Sequence, residues 1–155
     1  MRVLIDDMLK LSKLDADMDN EEISVADMRE ICEDVISELK GVAESKKVEL
    51  NLTGEANLIC RPKMITTLVT NLVNNAIKYN KDGGSVTVSL SESDSEVTLK
   101  VKDNGIGIAK EHQSRLYERF YKVDASRTYT NESSTGLGLA IVKRIAVIHG
   151  AKISL

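Results

Sequence analysis

Three groups of residues have types and spacings that could do chemistry. In the segment NLVNNAIKYN, residues 71–80, Asn71, Asn75 and Lys78 recur at intervals of four and three. At about 100° per residue they share one stripe of a helix, bordered by Tyr79, while Ile65, Leu68, Val69, Leu72, Val73, Ala76 and Ile77 fill the opposite arc. Asparagine is a poor helix former, so three of them at 71, 74 and 75 need a reason beyond a solvated face. An amide carbonyl can ligate a hard cation, and Mg²⁺ takes few protein ligands together with phosphate oxygens. A lysine one turn on can meet the same phosphates.

The second group is Asp103 and the run Asn104-Gly105-Ile106-Gly107-Ile108 that follows it. The alternation Val97, Leu99, Val101 continues to Asp103, which predicts an acid pointing to the apolar side, and a buried carboxylate needs a donor. The two glycines permit positive φ and close approach of a ligand to the backbone. A structural turn capped by Asp103 accounts for the same residues equally well. The third group, Thr135-Gly136-Leu137-Gly138-Leu139-Ala140, leads into a helix, whose first N–H groups can bind an anion. It is neither a P-loop, since no GxxxxGK[ST] occurs, nor a dinucleotide fingerprint, since no strand precedes it.

The elements that would position these groups follow from periodicity. Met1, Leu4, Met8 and Leu11 mark a short helix, facing a partner or packing on its own domain. Ser24 with Asp27 suggests an acidic capping box opening a helix with Met28, Ile31, Cys32, Val35, Leu39 and Val42 on one face. Val48, Leu50 and Leu52 predict a strand, and Leu58-Ile59-Cys60 another, stopped by Arg61-Pro62. A helix from Pro62 to Tyr79 follows, with proline in its permitted first turn. Asp82-Gly83-Gly84 breaks the chain before a hairpin built on Val86, Val88, Leu90 and Val97, Leu99, Val101. Residues 121–135 are too polar to bury and predict a mobile loop. A helix from Gly136 to about His149 leads to a strand at Ile153-Ser154-Leu155. The fold class expected is α+β, a two-layer arrangement.

With 155 residues, the chain fits one domain that buries roughly two thirds of its unfolded surface. Only 3% of residues are aromatic, so the core must be aliphatic. A net charge of -3 speaks against nucleic acid or an anionic membrane as partner. Cys32 and Cys60 lie too far apart in sequence for a CxxC metal or redox motif; both fit as core residues in a reducing, cytoplasmic setting. No apolar run reaches the roughly 20 residues of a membrane helix, and no signal peptide heads the chain, although a parent protein can be membrane-anchored.

Taken in order, NLVNNAIKYN (71–80), DNGIGI (103–108), ERFYKVD (118–124) and TGLGLA (135–140) resemble the N box, first glycine box, F box and second glycine box of bacterial two-component sensor histidine kinases. The likeness is to their ATP-binding catalytic domain, of the GHKL or Bergerat-fold superfamily. It covers residues 17–155, while residues 1–16 resemble the end of the dimerisation and phosphoacceptor helix. It implies a two-layer α/β sandwich with a mixed, mostly antiparallel sheet and a flexible lid. The cofactors implied are ATP and Mg²⁺. The partners implied are the phosphoacceptor domain of the same kinase and a downstream response regulator.

Carried over by position, Asn75 would ligate Mg²⁺, Asn71 and Lys122 would be the catalytic residues, and Lys78 would contact phosphates. Tyr79 would line the nucleoside, and Asp103 would accept the adenine amino group. Gly105 and Gly107 would admit the base, with Ile108 packing on it. Thr135, Gly136, Leu137, Gly138 and Leu139 would cradle phosphates. Lys122 stands where many relatives have arginine, making any clamp on the γ-phosphate a point charge. Ser133-Ser134 replaces a more glycine-rich lid hinge, and Ala151 a common glycine. The related gyrase, mismatch-repair and chaperone ATPases place a water-activating Glu where this chain has Asn71, which favours transfer to an acceptor over hydrolysis. A nucleotide-binding regulatory module without transfer is a further alternative. Neither His112 nor His149 sits in the family's acceptor motif, and relatives carry one more strand after the one begun at Lys152.

Overall fold

The computed structural model describes residues 2–17, 20–123 and 135–155. In chain order these form α1 (Arg2–Asp17), β1 (Ser24–Asp27), α2 (Met28–Ser45), β2 (Glu49–Thr53), β3 (Asn57–Cys60), α3 (Pro62–Lys78), β4 (Ser85–Glu92), β5 (Val97–Asp103), α4 (Lys110–Gln113) and α5 (Gly138–Ile148). They divide into a unit of Glu22–Gly107 and a unit of Met1–Glu21 with Ile108–Leu155.

In the unit of residues 22–107, alternation becomes a mixed sheet of order β2-β4-β5. The hairpin forms as predicted, with Val88 opposite Val101 and Leu90 opposite Leu99. β2 runs parallel to β4, Leu50 opposite Val86 and Leu52 opposite Val88, because the crossover through α3 returns the chain to the same end. Val86, Val88 and Leu90 are buried on this sheet, and α2 and α3 pack on it and on each other. Met28, Cys32, Val35 and Leu39 supply the α2 side of the core; Ile65, Val69, Val73 and Ile77 supply the α3 side. The described core is aliphatic throughout, and the two-layer α+β class expected from the sequence is the one found.

Ser24 is not the helix cap. Residues 24–27 form a strand antiparallel to β3, Val25 opposite Ile59, and Asp27 caps α2 by itself. Its carboxylate accepts from the N–H groups of Arg29 at 2.8 Å and Glu30 at 3.3 Å, so no partner three residues upstream is required.

In the other unit, α5 buries Ala140, Ile141, Val142, Ile145 and Ala146, joined by Leu116 and Leu137. It ends in a Schellman motif: Ala151 N–H donates to Ala146 O at 2.8 Å and Gly150 N–H to Val147 O at 3.1 Å, with Gly150 at φ +64°. The strand expected at Ile153-Ser154-Leu155 is absent. Those residues are exposed, and no described strand pairs with them; alternation alone does not supply a ladder. The four residues of α4 were not foreseen. On α1, Ile5, Met8 and Leu9 are exposed and Leu11 is half-buried. The side chains of Met1 and Leu4 lie outside the described residues.

Burial of Cys32, with Glu33 adding to it, pushes its thiol pKa from 9.0 to about 11. The folded thiol therefore keeps its proton where the unfolded thiol has lost it. Its contribution to stability is complete below pH 9 and is lost as pH rises through about 11. Urea unfolding followed from pH 8 to 11 should show wild-type stability declining more steeply than that of Cys32→Ala; equal slopes would contradict this burial.

Candidate functional site

Helix α3 carries the first group of residues to a defined end. Asn71, Asn75 and Lys78 are half-buried, in contrast to exposed Asn74, and the Asn71 amide donates from Nδ2 to Thr67 O at 2.8 Å. Its oxygen is not consumed by that bond, so it keeps the acceptor capacity a hard cation needs. Among the described residues no group of three His, Cys, Asp or Glu could hold a metal alone. A divalent ion bound through one or two amide oxygens and a ligand's own phosphates is thus the kind these residues fit.

Past Lys78 the chain turns through Tyr79, which is exposed, and Asn80, which is 6% exposed. Tyr79 N–H donates to Asn75 O at 3.0 Å and Asn80 N–H to Ile77 O at 3.2 Å. Tyr79 O accepts from Ile106 N–H at 3.2 Å, joining the end of α3 to the first glycine segment. The Asn80 amide donates to Ser85 O at 3.0 Å and accepts from Lys81 N–H at 2.9 Å. Asn104 Oδ1 accepts from Ser85 N–H at 2.7 Å.

Asp103 differs from the sequence expectation: it is exposed. It stands opposite Val86 as the last residue of β5, on the side of Val97, Leu99 and Val101, so the alternation gives its side correctly and its depth wrongly. The next residue on that side, Gly105, has no side chain to cover it. One carboxylate oxygen accepts from Gly105 N–H at 2.9 Å, the capped-turn geometry, and the exposed group retains capacity for another donor. A Cβ on Gly105 would lie 2.4 Å from Tyr79 O, 2.9 Å from the Asn80 Cα and 3.0 Å from the Asp103 carboxylate. Gly107 needs its glycine for another reason, φ +70° in open space. Tyr79, Asp103 and Gly105 are therefore together, held by backbone approach.

In the unit of residues 108–155, Ile108 is exposed, and its carbonyl accepts from the Gln113 amide at 3.2 Å. The His112 ring nitrogen Nδ1 lies 2.6 Å from the Tyr121 hydroxyl. Arg115 stacks over the Tyr121 ring at 4.4 Å and binds Glu118 through Nη2 at 3.1 Å, an interaction that favours the charged guanidinium. Burial pushes the Tyr117 phenol up. Phe120 has φ +66°, and its N–H donates to Gly136 O at 3.0 Å. A Cβ on Gly136, itself at φ +72°, would meet the Phe120 main chain at 2.8–2.9 Å. The F-box segment and the second glycine segment are thus clasped backbone to backbone.

Leu137 is fully buried, so only its main chain is available to a ligand; its N–H donates to Thr135 Oγ1 at 3.3 Å. Helix α5 begins at Gly138, with Leu139 half-buried, and among the described residues no side chain caps its first turn. Lys122 is half-buried. The expected lid, including Tyr129 and Ser133-Ser134, falls mostly on residues 124–134, outside the described residues. Asn80 and Asn104 carry structural roles here that sequence spacing did not assign; they stand at the end of NLVNNAIKYN and inside DNGIGI, and that placement was the available signal.

Residues 60–155 match the family described as histidine kinase-, DNA gyrase B- and HSP90-like ATPases, and the chain belongs to that family. It is 37% identical over 153 residues to the sensor protein kinase PmrB of Pseudomonas aeruginosa, covering 98% of this chain and 31% of PmrB. Among solved structures, the mycobacterial sensor histidine kinase MprB is 26% identical with a TM-score of 0.71, over 83% of this chain and 81% of that one. Full-length ShkA in complex with AMPPNP is 25% identical with a TM-score of 0.74, over 95% of this chain and 30% of that one. No described helix is long and apolar enough to cross a membrane.

The two glycines of the first box should answer substitution differently. Gly105→Ala should cost about 1–3 kcal/mol in urea unfolding and shift the Asn80 amide resonance, because main-chain atoms of Tyr79 and Asn80 must move. Gly107→Ala should cost about 1–2 kcal/mol of left-handed strain and leave that resonance in place. An unmoved Asn80 amide in Gly105→Ala would refute the close approach.

Proposed function

We propose that this chain binds Mg·ATP and transfers the γ-phosphate to a histidine on the dimerisation domain of a sensor kinase, with a response regulator as the downstream partner. The observation that carries the proposal is the seat formed by Tyr79, Asp103 and Gly105. It combines an exposed carboxylate, a glycine packed directly on the Tyr79 main chain, and an exposed aromatic residue. Such a set suits an adenine whose amino group donates and whose face stacks. Family membership supports the reading, as does likeness to a kinase whose structure contains a nucleotide analogue.

In this reading Asp103 accepts the adenine amino group, Gly105 lets the turn close on the Tyr79 main chain, Gly107 leaves room for the base, and Ile108 and Tyr79 pack beside it. Lys78 and Lys122 place positive charge against the phosphates. Gly138 and Leu139 offer main-chain N–H groups in the first turn of α5, with Thr135, Gly136 and Leu137 leading into it. Asn75, with Asn71, would hold Mg²⁺ through amide oxygen; the bound ion supplies neutralisation of phosphate charge. Phosphoryl transfer asks a protein mainly for positioning and electrostatic stabilisation, which is what these side chains provide. The base and the acceptor come from another domain. His112 is engaged with Tyr121, and His149 Nδ1 lies 2.9 Å from Ile145 O, so both histidines have structural occupations.

Mixing the chain with Mg·ATP and an acceptor-domain protein carrying the histidine should yield acid-labile phosphate on the acceptor. Release of phosphate without the acceptor would favour hydrolysis, and binding without transfer would favour a regulatory module. In calorimetry, Asp103→Asn should weaken ATP binding by more than the roughly 1 kcal/mol of a neutral hydrogen bond. Unchanged affinity would end the adenine assignment. Asn75→Ala should keep the fold and abolish Mg²⁺-dependent binding, whereas full Mg²⁺ dependence in that variant would exclude Asn75 as a ligand.

A further inference from the structure

We propose that Lys46 is a positioning residue for nucleotide binding, acting through the end of α3 without touching the nucleotide; this rests on the ATP reading above. Helix α3 finishes at Lys78, and a helix leaves its last carbonyls without partners in the helix. Lys46 answers this need from another element. Its ammonium donates to Ile77 O at 3.4 Å, to Lys78 O and to Asn80 O at 3.3 Å. All three acceptors are main-chain oxygens within four consecutive residues. The fourth carbonyl of that stretch, Tyr79 O, is turned to Ile106 N–H. The three carbonyls on one cation and the one on the glycine box together define the turn that carries Lys78 and Tyr79.

The cation is fixed from its own side as well. Lys46 terminates α2, its N–H donating to Ala43 O at 3.1 Å, and Lys47 follows at φ +56° with its N–H on Glu44 O at 3.0 Å. Val48 N–H donates to Ala43 O at 2.9 Å and Glu49 N–H to Gly84 O at 2.9 Å, tying this turn to the sheet. Lys46 is half-buried and projects from a rigid base, unlike a long side chain wandering in water. A positive charge at a helix C-terminus is also favourable to the helix dipole. Three divergent carbonyls suit a rotating ammonium with three donors. Removing it leaves those oxygens without their cation. The turn then loosens, and with it the bond from Ile106 that seats Gly105 against Tyr79.

The test compares wild type with Lys46→Met in the full chain, by amide hydrogen exchange without nucleotide and by calorimetry with Mg·ATP. The expected result is a tenfold or greater acceleration of exchange at Ile106 and Asn80, unchanged exchange at the central β4–β5 pairs, and about a tenfold rise in the Kd for ATP. Acceleration shared equally by β4 and β5 would mean a merely structural lysine and overturn the proposal. Unchanged exchange at Ile106 would overturn it too, as would faster exchange with unchanged ATP affinity. If Lys46→Met does not fold, Lys46→Gln is judged by the same outcomes. A wild-type chain that binds no ATP would refute the nucleotide reading itself, and that failure is visible before any variant is compared.

Discussion

The last carbonyls of a helix have no partners within it and must find them elsewhere. At the end of α3 this is done by groups outside the helix. The Lys46 ammonium takes Ile77, Lys78 and Asn80 oxygens, and Ile106 N–H takes Tyr79 O. Much else in the unit of residues 22–107 depends on this arrangement. The first glycine segment is located by its bond to Tyr79, and buried Asn80 ties the same turn to Ser85 at the start of β4.

The glycines then serve distinct physical purposes. Gly105 is required by proximity, since any Cβ there meets main-chain atoms, and Gly107 by its left-handed backbone. Gly136 combines both demands, lying against a Phe120 that is itself at positive φ. A non-glycine residue in that region is costly and persists only where its surroundings hold it. Here the Phe120–Gly136 hydrogen bond contributes to that hold. Gly105 and Gly136 thus mark places where backbone meets backbone, and Gly107 marks a left-handed turn.

Periodicity made α3 and the β4–β5 hairpin legible, because each repeats its apolar residues at its own period over its whole length. Depth was not legible. Asp103 follows the inward alternation yet is exposed, because alternation fixes the side of a sheet and not how far its cover extends. Ser24 looked like a cap because Asp27 follows three residues on, while the short alternation of residues 24–27 carried the strand. Ile153 and Leu155 alternate as a strand does but find no described neighbour. Asn75, Lys78 and the glycines stand out in the sequence by type and spacing. Lys46 does not, since a lysine after a helix is ordinary until the carbonyls it meets, more than 30 residues away, are brought to it by the fold.

The central claim is that the end of α3 and the glycine turn after β5 form the adenine seat. The direct measurement is an amide NMR titration with Mg·ATP, using Mg²⁺ without nucleotide as the reference. Saturable shifts should concentrate at Tyr79, Asp103, Gly105, Ile106 and Gly107. Saturable binding that leaves those amides unmoved, or moves those of β1 and β3 instead, would contradict it.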